Sequence, residues 1–213
     1  MPRDEQWGTA GARFHDLDAM RKSSMTNDSV VLADADGRPC GTADREAVHG
    51  FDTPLHFAFS CHLVVDGRIL MTRRALSKRS WPGVWTNSFC GHPRPGEDVV
   101  DAVHRYAVRE LGIEVADVRC VLPDFRYRAV DASGIVENEI CPVFVARPLA
   151  TPRPAPDEVA EHVWADVADV WSLVERTPWS VSPWFVEQVR QLPNGHDGSV
   201  HETHPAMSRA SNS

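Results

Sequence analysis

Short apolar runs broken by Asp-Gly pairs make the first half of the chain strand-rich, and one later stretch, Asp98 to Leu111, shifts to a helical repeat. Val30-Val31-Leu32, then Asp36-Gly37 and a short return, predict a β-hairpin. Phe57 to Val65 and Arg68 to Arg73 flank Asp66-Gly67 and predict a second one. Val99, Ala102, Val103, Tyr106, Ala107 and Leu111 then recur at helical spacing, with Gly112 at a C-cap position. Strand-like runs follow at 118–122, 125–130 and 135–147, and the segment from Asp157 to Arg190 predicts one more strand with one or two helices. Hairpins with interspersed helices imply one mixed α/β domain over 28–192. Residues 1–27 and 193–213 have no hydrophobic period and are expected to be polar, disordered extensions.

At 213 residues the chain holds one sizeable core, and no internal stretch reads as a linker between domains. Its five cysteines are odd in number, lack a CxxC pair and lie mostly among apolar residues, which favours reduced thiols and a cytoplasmic setting. The first 26 residues carry both charge signs without a signal-length apolar core, and no run elsewhere approaches a membrane span. A net charge of −8 argues against a nucleic-acid partner. Any anionic ligand must then meet a local cluster of positive charge. Arg73-Arg74-Ala75-Leu76-Ser77-Lys78-Arg79 is such a cluster, and it contains one of only two lysines in the chain.

Thr-Asn-Ser-Phe-Cys-Gly-His-Pro at 86–93 puts Cys90 and His92 on one face of extended backbone, and Glu137-Asn138-Glu139 does the same for two carboxylates. The alternative for the carboxylates is the exposed face of an edge strand. His49 and His56 are seven residues apart, roughly 23 Å if extended, so shared ligation needs the chain to double back; Asp52-Thr53-Pro54 supplies a turn. Three imidazoles, His49, His56 and His92, with the oxygens of Glu137 and Glu139 suit a hexacoordinate Mn, Mg or Zn site. His62, His104 and His162 have no such company and read as structural. Trp179 and Trp184 lie in Thr-Pro-Trp-Ser-Val-Ser-Pro-Trp, where the prolines stiffen the backbone enough to aim a ring at a pocket.

Gly91, Glu97, Arg105 and Glu110-Leu111-Gly112 resemble the Nudix box, G-x5-E-x7-R-E-x-x-E-E-x-G, with Tyr106 and Arg109 replacing two of its glutamates. The wider chain, from about Val30 to Trp184, resembles the type I isopentenyl-diphosphate isomerases. The marks are Arg-Arg-Ala-Leu-Ser-Lys, Trp-Pro-Gly-Val-Trp-Thr-Asn-Ser-x-Cys-Gly-His-Pro, Asp-Phe-Arg-Tyr-Arg-Ala, Gly-Ile-Val-Glu-Asn-Glu and Ser-Pro-Trp, all in order. The resemblance implies a Nudix-like α/β/α sandwich with a mixed sheet and a small homoallylic or allylic diphosphate substrate; the lack of a spanning apolar run predicts no membrane partner, and the lack of a long apolar edge or heptad predicts a monomer. It also implies that Cys90 and Glu139 are the acid/base pair, with Tyr127 hydrogen-bonded beside Glu139. His49, His56, His92, Glu137 and Glu139 would bind Mn or Zn, and Glu110 with the Cys90 carbonyl would bind Mg on the diphosphate. Arg45, Arg74 and Lys78 would hold that diphosphate.

Such an isomerisation protonates an unactivated alkene and passes through a tertiary carbocation, so it needs a strong donor, exclusion of water and a wall free of nucleophiles. Trp184, face-on to the cation, would contribute about 2 kcal/mol. Cys90, with an ordinary pKa of about 8.5, is expected to reach its thiolate near neutral pH beside a cation. A thiol is a poor donor to an alkene, which assigns acid work to Glu139–Tyr127 and proton removal to Cys90 in the forward direction. The competing reading is a Nudix hydrolase of a nucleoside diphosphate derivative, against which Tyr106 and Arg109 count.

Overall fold

The computed structural model describes residues 29–192, so the predicted terminal extensions lie outside the described residues. In chain order the elements are β1 (Ser29–Ala33), β2 (Pro39–Asp44), β3 (His56–Phe57), β4 (Phe59–Val65), β5 (Arg68–Arg74), β6 (Trp85–Thr86), β7 (Phe89–Gly91) and α1 (Val99–Leu111). They continue with β8 (Val115–Leu122), β9 (Arg126–Val130), β10 (Val136–Ile140), β11 (Val143–Pro148), β12 (Val159–Asp166), α2 (Val167–Arg176), a 3-10 turn (Pro178–Ser180) and α3 (Pro183–Gln191).

The helix α1 forms where its apolar period predicts. Asp98 caps it by accepting the Val100 N–H, and Gly112 ends it at φ 63°, a left-handed conformation that costs glycine nothing. The first hairpin also matches, β1 pairing with β2 antiparallel from Ser29–Asp44 to Ala33–Pro39. Two predicted strands differ from expectation in the same way. The 57–65 run breaks at Ala58 into β3 and β4, and the 135–147 run breaks at Cys141-Pro142 into β10 and β11. Pro142 has no N–H to continue a ladder. The broken strands run parallel to each other, His56 opposite Glu139 and then Ser60 opposite Val143. Across the break the Ala58 N–H donates to the Ile140 carbonyl at 2.9 Å and the Ser60 N–H to that of Pro142 at 3.1 Å. Both chains thus leave one sheet and enter the other together.

The smaller sheet has the order β2-β1-β3-β10-β9 and the larger one β12-β5-β4-β11-β8, with β6 on β5 and β7 on β4. β4 is buried on both faces, so its residues serve two cores. Phe59, Cys61 and Leu63 pack with Tyr106, Ala107 and Leu111 of α1. Ser60 and His62 turn to the other side, where α2 and α3 contribute Val170, Val174, Phe185 and Val189 to a second core. The result is the expected α/β/α arrangement around mixed sheets. No helix of the described residues is long and apolar enough to cross a membrane.

His62 is structural, as its isolation in the sequence implied: it is fully buried, stacked near Phe185 and bonded through Nε2 to Gln188 Oε1 at 3.0 Å. Burial pushes its imidazole down to about 4, and the Gln188 contact only partly offsets this. The unfolded chain therefore takes up a proton below about pH 6.5 that the folded chain refuses, so stability falls between pH 6.5 and pH 4. Chemical unfolding at pH 7 and pH 4.5 should show about 2 to 3 kcal/mol less acid sensitivity in His62→Gln than in the parent chain.

Candidate active site

Glu139 is the centre toward which four chain segments converge. Its strand places Glu137 and Glu139 on one face, and both are buried, because β10 is an interior strand between β3 and β9 rather than an exposed edge. The parallel register sets His56 opposite Glu139, and the antiparallel one sets Tyr127 opposite it. His49 arrives through a bridge between Gly50 and Val136, and the chain doubles back as the spacing required: Thr53 Oγ1 accepts the Gly50 N–H at 2.8 Å and donates to the Val136 carbonyl at 2.6 Å. His92 follows β7 directly.

The three imidazole rings lie 5.1, 5.5 and 5.1 Å apart between centroids. Their Nε2 atoms all approach Glu139 Oε1, His92 at 3.3 Å, His56 at 3.5 Å and His49 at 3.7 Å. The other oxygen, Oε2, accepts the Tyr127 hydroxyl at 3.0 Å. One ligand atom from each of His49, His56, His92 and Glu139 falls within 4.8 Å of all the others. Glu137 joins from outside, its Oε2 3.1 Å from His49 Nε2.

Two observations show that this donor set fits a metal ion. His56 Nδ1 lies 2.9 Å from the Pro54 carbonyl, an acceptor, so Nδ1 carries a proton and Nε2 is the ring nitrogen turned toward the cluster. The Nε2 atom of His56 is buried with no hydrogen-bond partner, a costly state unless something else meets it. In the chain alone, burial works against charge throughout the cluster, yet the outcome differs by site. The carboxylates of Glu137 and Glu139 overcome it at His49, which is held up at about 9. At His92 burial wins over Glu139 and the ring is pushed down to about 4. The imidazoles overcome burial at Glu139 and hold it well below the usual carboxylate range. Burial and the Glu139 charge raise the Tyr127 phenol, which stays protonated.

A cavity of about 450 Å³ opens beside this cluster, and Cys90, His92, Glu137, Glu139, Tyr127 and Trp184 all face it. Cys90 lies half-buried in its wall, paired with Ser60 across β7 and β4. Its sulfur is 3.3 Å from Ser60 Oγ, accepts from Asn87 Nδ2 at 3.2 Å and can donate to Asn87 Oδ1 at 3.3 Å. The expected thiolate is not what these surroundings favour. Enclosure pushes the thiol up to about 12, with the charges of Glu139 and Glu110 adding to it and the Ser60 and Asn87 contacts only partly offsetting it. Asn87 is a buried hub that the sequence reading passed over: Oδ1 also accepts from Trp184 Nε1 at 3.1 Å, and Nδ2 donates to the Phe89 carbonyl at 2.7 Å. Only its place in the 86–93 motif marked it. Trp184 is buried and tilted against Tyr127 at 5.4 Å, whereas Trp179 is 83% exposed and does not line this cavity.

The far side of the cavity carries the cations. Arg45, Arg74, Lys78 and Arg79 face it, but Arg73 does not, because alternation along β5 sends it outward to Glu161 at 3.3 Å and to the Gly83 carbonyl at 3.0 Å. Arg74 Nε and Nη2 donate to the Ser80 carbonyl at 3.2 and 2.9 Å. Lys78 Nζ contacts Glu158 Oε2 directly. Glu158 was missed because nothing in the Pro-rich 151–157 segment marks it. Glu110 also faces the cavity; burial and the Glu158 charge raise it to about 8 against Lys78, Arg74 and Arg109. Glu97 has a different job, donating no ligand to the cavity but clamping Arg105 at 2.7 and 2.6 Å and accepting the Arg94 N–H.

The NUDIX domain model matches residues 54–185. Isopentenyl-diphosphate Delta-isomerase of Frankia alni is 57% identical over 164 residues, covering 76% of this chain and 84% of the relative. The enzyme of the same name from Agromyces mediolanus is 56% identical over 170 residues, covering 78% and 82%. Among solved structures, DR0079 of Deinococcus radiodurans superposes with a TM-score of 0.59 at 20% identity over 78% of this chain and 99% of that one, a likeness of fold.

Gly91 separates Cys90 from His92, and a Cβ there would stand 2.6 Å from the ring of Tyr106. Gly91→Ala should therefore cost about 1 to 3 kcal/mol through overpacking. Thermal unfolding should show a midpoint lower by about 2 to 4 °C per kcal/mol, with a smaller drop in a Tyr106→Leu background.

Proposed function

We propose a division of labour within the site of a chain that belongs to the isopentenyl-diphosphate Delta-isomerase family of NUDIX-domain proteins. The protein is an isomerase that interconverts isopentenyl and dimethylallyl diphosphate by a 1,3-allylic proton shift. The observation that carries the assignment of residues is the convergence of three imidazole nitrogens and the Tyr127 hydroxyl on one buried carboxylate, Glu139, in the wall that also holds Cys90.

In this reading His49, His56, His92, Glu137 and Glu139 hold Mn or Zn, and Glu110 with the Cys90 carbonyl holds Mg that accompanies the diphosphate. Bound divalent ions supply positive charge that makes neighbouring acids stronger and screens the diphosphate. The protein's own groups do the rest. Arg45, Arg74 and Lys78 seat the diphosphate at the cationic end of the cavity, which orients the five-carbon chain toward Glu139 and Cys90. The Glu139–Tyr127 side delivers a proton to the terminal alkene carbon, and Cys90 takes one from the neighbouring methylene. The forward direction draws on the thiolate of Cys90, which burial keeps scarce in the chain alone. Trp184, fixed by its N–H bond to Asn87, presents its ring to the carbocation and stabilises it by about 2 kcal/mol, or roughly thirtyfold in rate. Placement in the cytoplasm and a monomeric state complete the reading.

The hydrolase alternative fares worse at the box itself. Tyr106 is buried in the α1 core against Phe59, and Arg109 lies 3.9 Å from Glu158, so neither position offers a carboxylate to a metal.

Turnover of isopentenyl diphosphate in deuterated water, read by NMR, should give dimethylallyl diphosphate carrying solvent deuterium. Cys90→Ser and Glu139→Gln should each lower kcat by about 10²- to 10⁴-fold. Chelation should abolish turnover, and add-back of Mn or Zn together with Mg should restore it. A Cys90→Ser variant of undiminished rate would remove Cys90 from the chemistry.

A further inference from the structure

Beyond the imidazole cluster three carboxylates line the cavity, Glu46, Glu110 and Glu158, and the reading above gives a role only to Glu110. Glu158 occupies a distinctive position. Its Oε2 contacts Lys78 Nζ, and its Oε1 lies 3.9 Å from Arg109 Nη2. The two side chains of the lysine pair are 22% and 11% exposed, so this is an enclosed ion pair rather than a surface one. The backbone of Glu158 is pinned from both sides. Its carbonyl accepts the Ala75 N–H at 3.0 Å and its own N–H donates to Ala155, whose N–H in turn donates to the Glu110 carbonyl at 2.8 Å. Val159 pairs with Arg74 in the adjoining sheet register.

We propose that Glu158 makes this end of the cavity selective for a diphosphate that arrives with its divalent cation, because Lys78 is exchanged from Glu158 to the phosphate as the substrate binds. The inference rests on the diphosphate reading of the cavity. Lys78 is the cation able to make the exchange: Arg74 is committed to the Ser80 carbonyl through two N–H groups, while a lysine ammonium on a flexible four-carbon stem can turn between two acceptors. The main chain of Glu158 stays in place, since backbone bonds hold the 155–159 turn against α1 and β5. An anion without a cation therefore strips Lys78 from Glu158 and leaves a partly buried carboxylate, balanced by the more distant Arg109, facing phosphate oxygens. A divalent cation bound to the same phosphates replaces the lost charge next to Glu158 and Glu110. The carboxylate thus opposes bare diphosphate and tolerates the cation-bound form.

The test is calorimetric titration with inorganic pyrophosphate, in excess Mg and in Mg-free buffer, of the full chain and of Glu158→Gln. The readout is the ratio of the Mg-free Kd to the Mg-loaded Kd. That ratio should fall about tenfold in Glu158→Gln, through tighter Mg-free binding, the order expected when one enclosed like-charge contact is removed. Glu161→Gln, which removes a carboxylate paired with Arg73 outside the cavity, should leave the ratio as in the parent chain. Lys78→Met leaves Glu158 in place without its lysine partner, Arg109 remaining 3.9 Å away, and should raise the ratio; it also serves where Glu158→Gln does not fold. A fall of less than about threefold in Glu158→Gln, or no rise in Lys78→Met, overturns the inference while leaving the diphosphate reading standing. Failure of the parent chain to bind pyrophosphate in either buffer overturns both.

Discussion

The site depends on keeping one carboxylate, Glu139, ionised where little water reaches it. A charge in such a place is expensive unless every lone pair is answered. Glu139 meets part of that demand with the Tyr127 hydroxyl on Oε2 and His92 Nε2 at 3.3 Å from Oε1, and the Nε2 atoms of His56 and His49 stand 3.5 and 3.7 Å from the same oxygen. None of these partners comes from the strand that carries Glu139. They come from the segment before β3, from β3, from the end of β7 and from β9, and each is delivered by backbone pairing whose register cannot slip by one residue without turning the side chain to the other face.

The paired crossing of β3–β4 and β10–β11 between the sheets is what brings this cluster next to the thiol. Before the break, His56 and Glu139 face the metal-fitting cluster. After it, Ser60 and Cys141 face the sulfur side, where Ser60 Oγ lies 3.3 Å from Cys90 Sγ and 3.4 Å from Cys141 Sγ. Gln188 Nε2 donates to the same hydroxyl at 2.8 Å, which occupies an acceptor site on Ser60 and leaves its proton for a sulfur.

The cationic half shows the opposite economy. Although the chain carries a net charge of −8, the arginines and the lysine that face the cavity are held by acceptors already: Lys78 by Glu158, and Arg74 by the Ser80 carbonyl. Groups held this way lose less freedom when an anion arrives. The box on α1 has been put to structural use as well. Glu97 clamps Arg105, and the Tyr106 ring fills the space over Gly91 that a side chain would otherwise occupy.

Local pattern alone was enough for α1, for both hairpin turns and for residues that line the cavity, because helical period, Asp-Gly turns and i, i+2 pairs are properties of adjacent residues. Cys90, His92, Glu137 and Glu139 lie where their spacing placed them, and His49 meets His56 by the turn that their separation required. What the chain could not reveal by itself was set by partners distant in sequence. The 57–65 and 135–147 runs each read as one continuous strand, and it is their pairing across the molecule that breaks them at Ala58 and at Cys141-Pro142. Arg73 and Arg74, or Trp179 and Trp184, are alike in composition and differ only in which wall of the fold they meet. The ionisation of Cys90 and the pairing of Glu158 with Lys78 were decided the same way, since burial and charge act through space and a sequence records only neighbours along the chain.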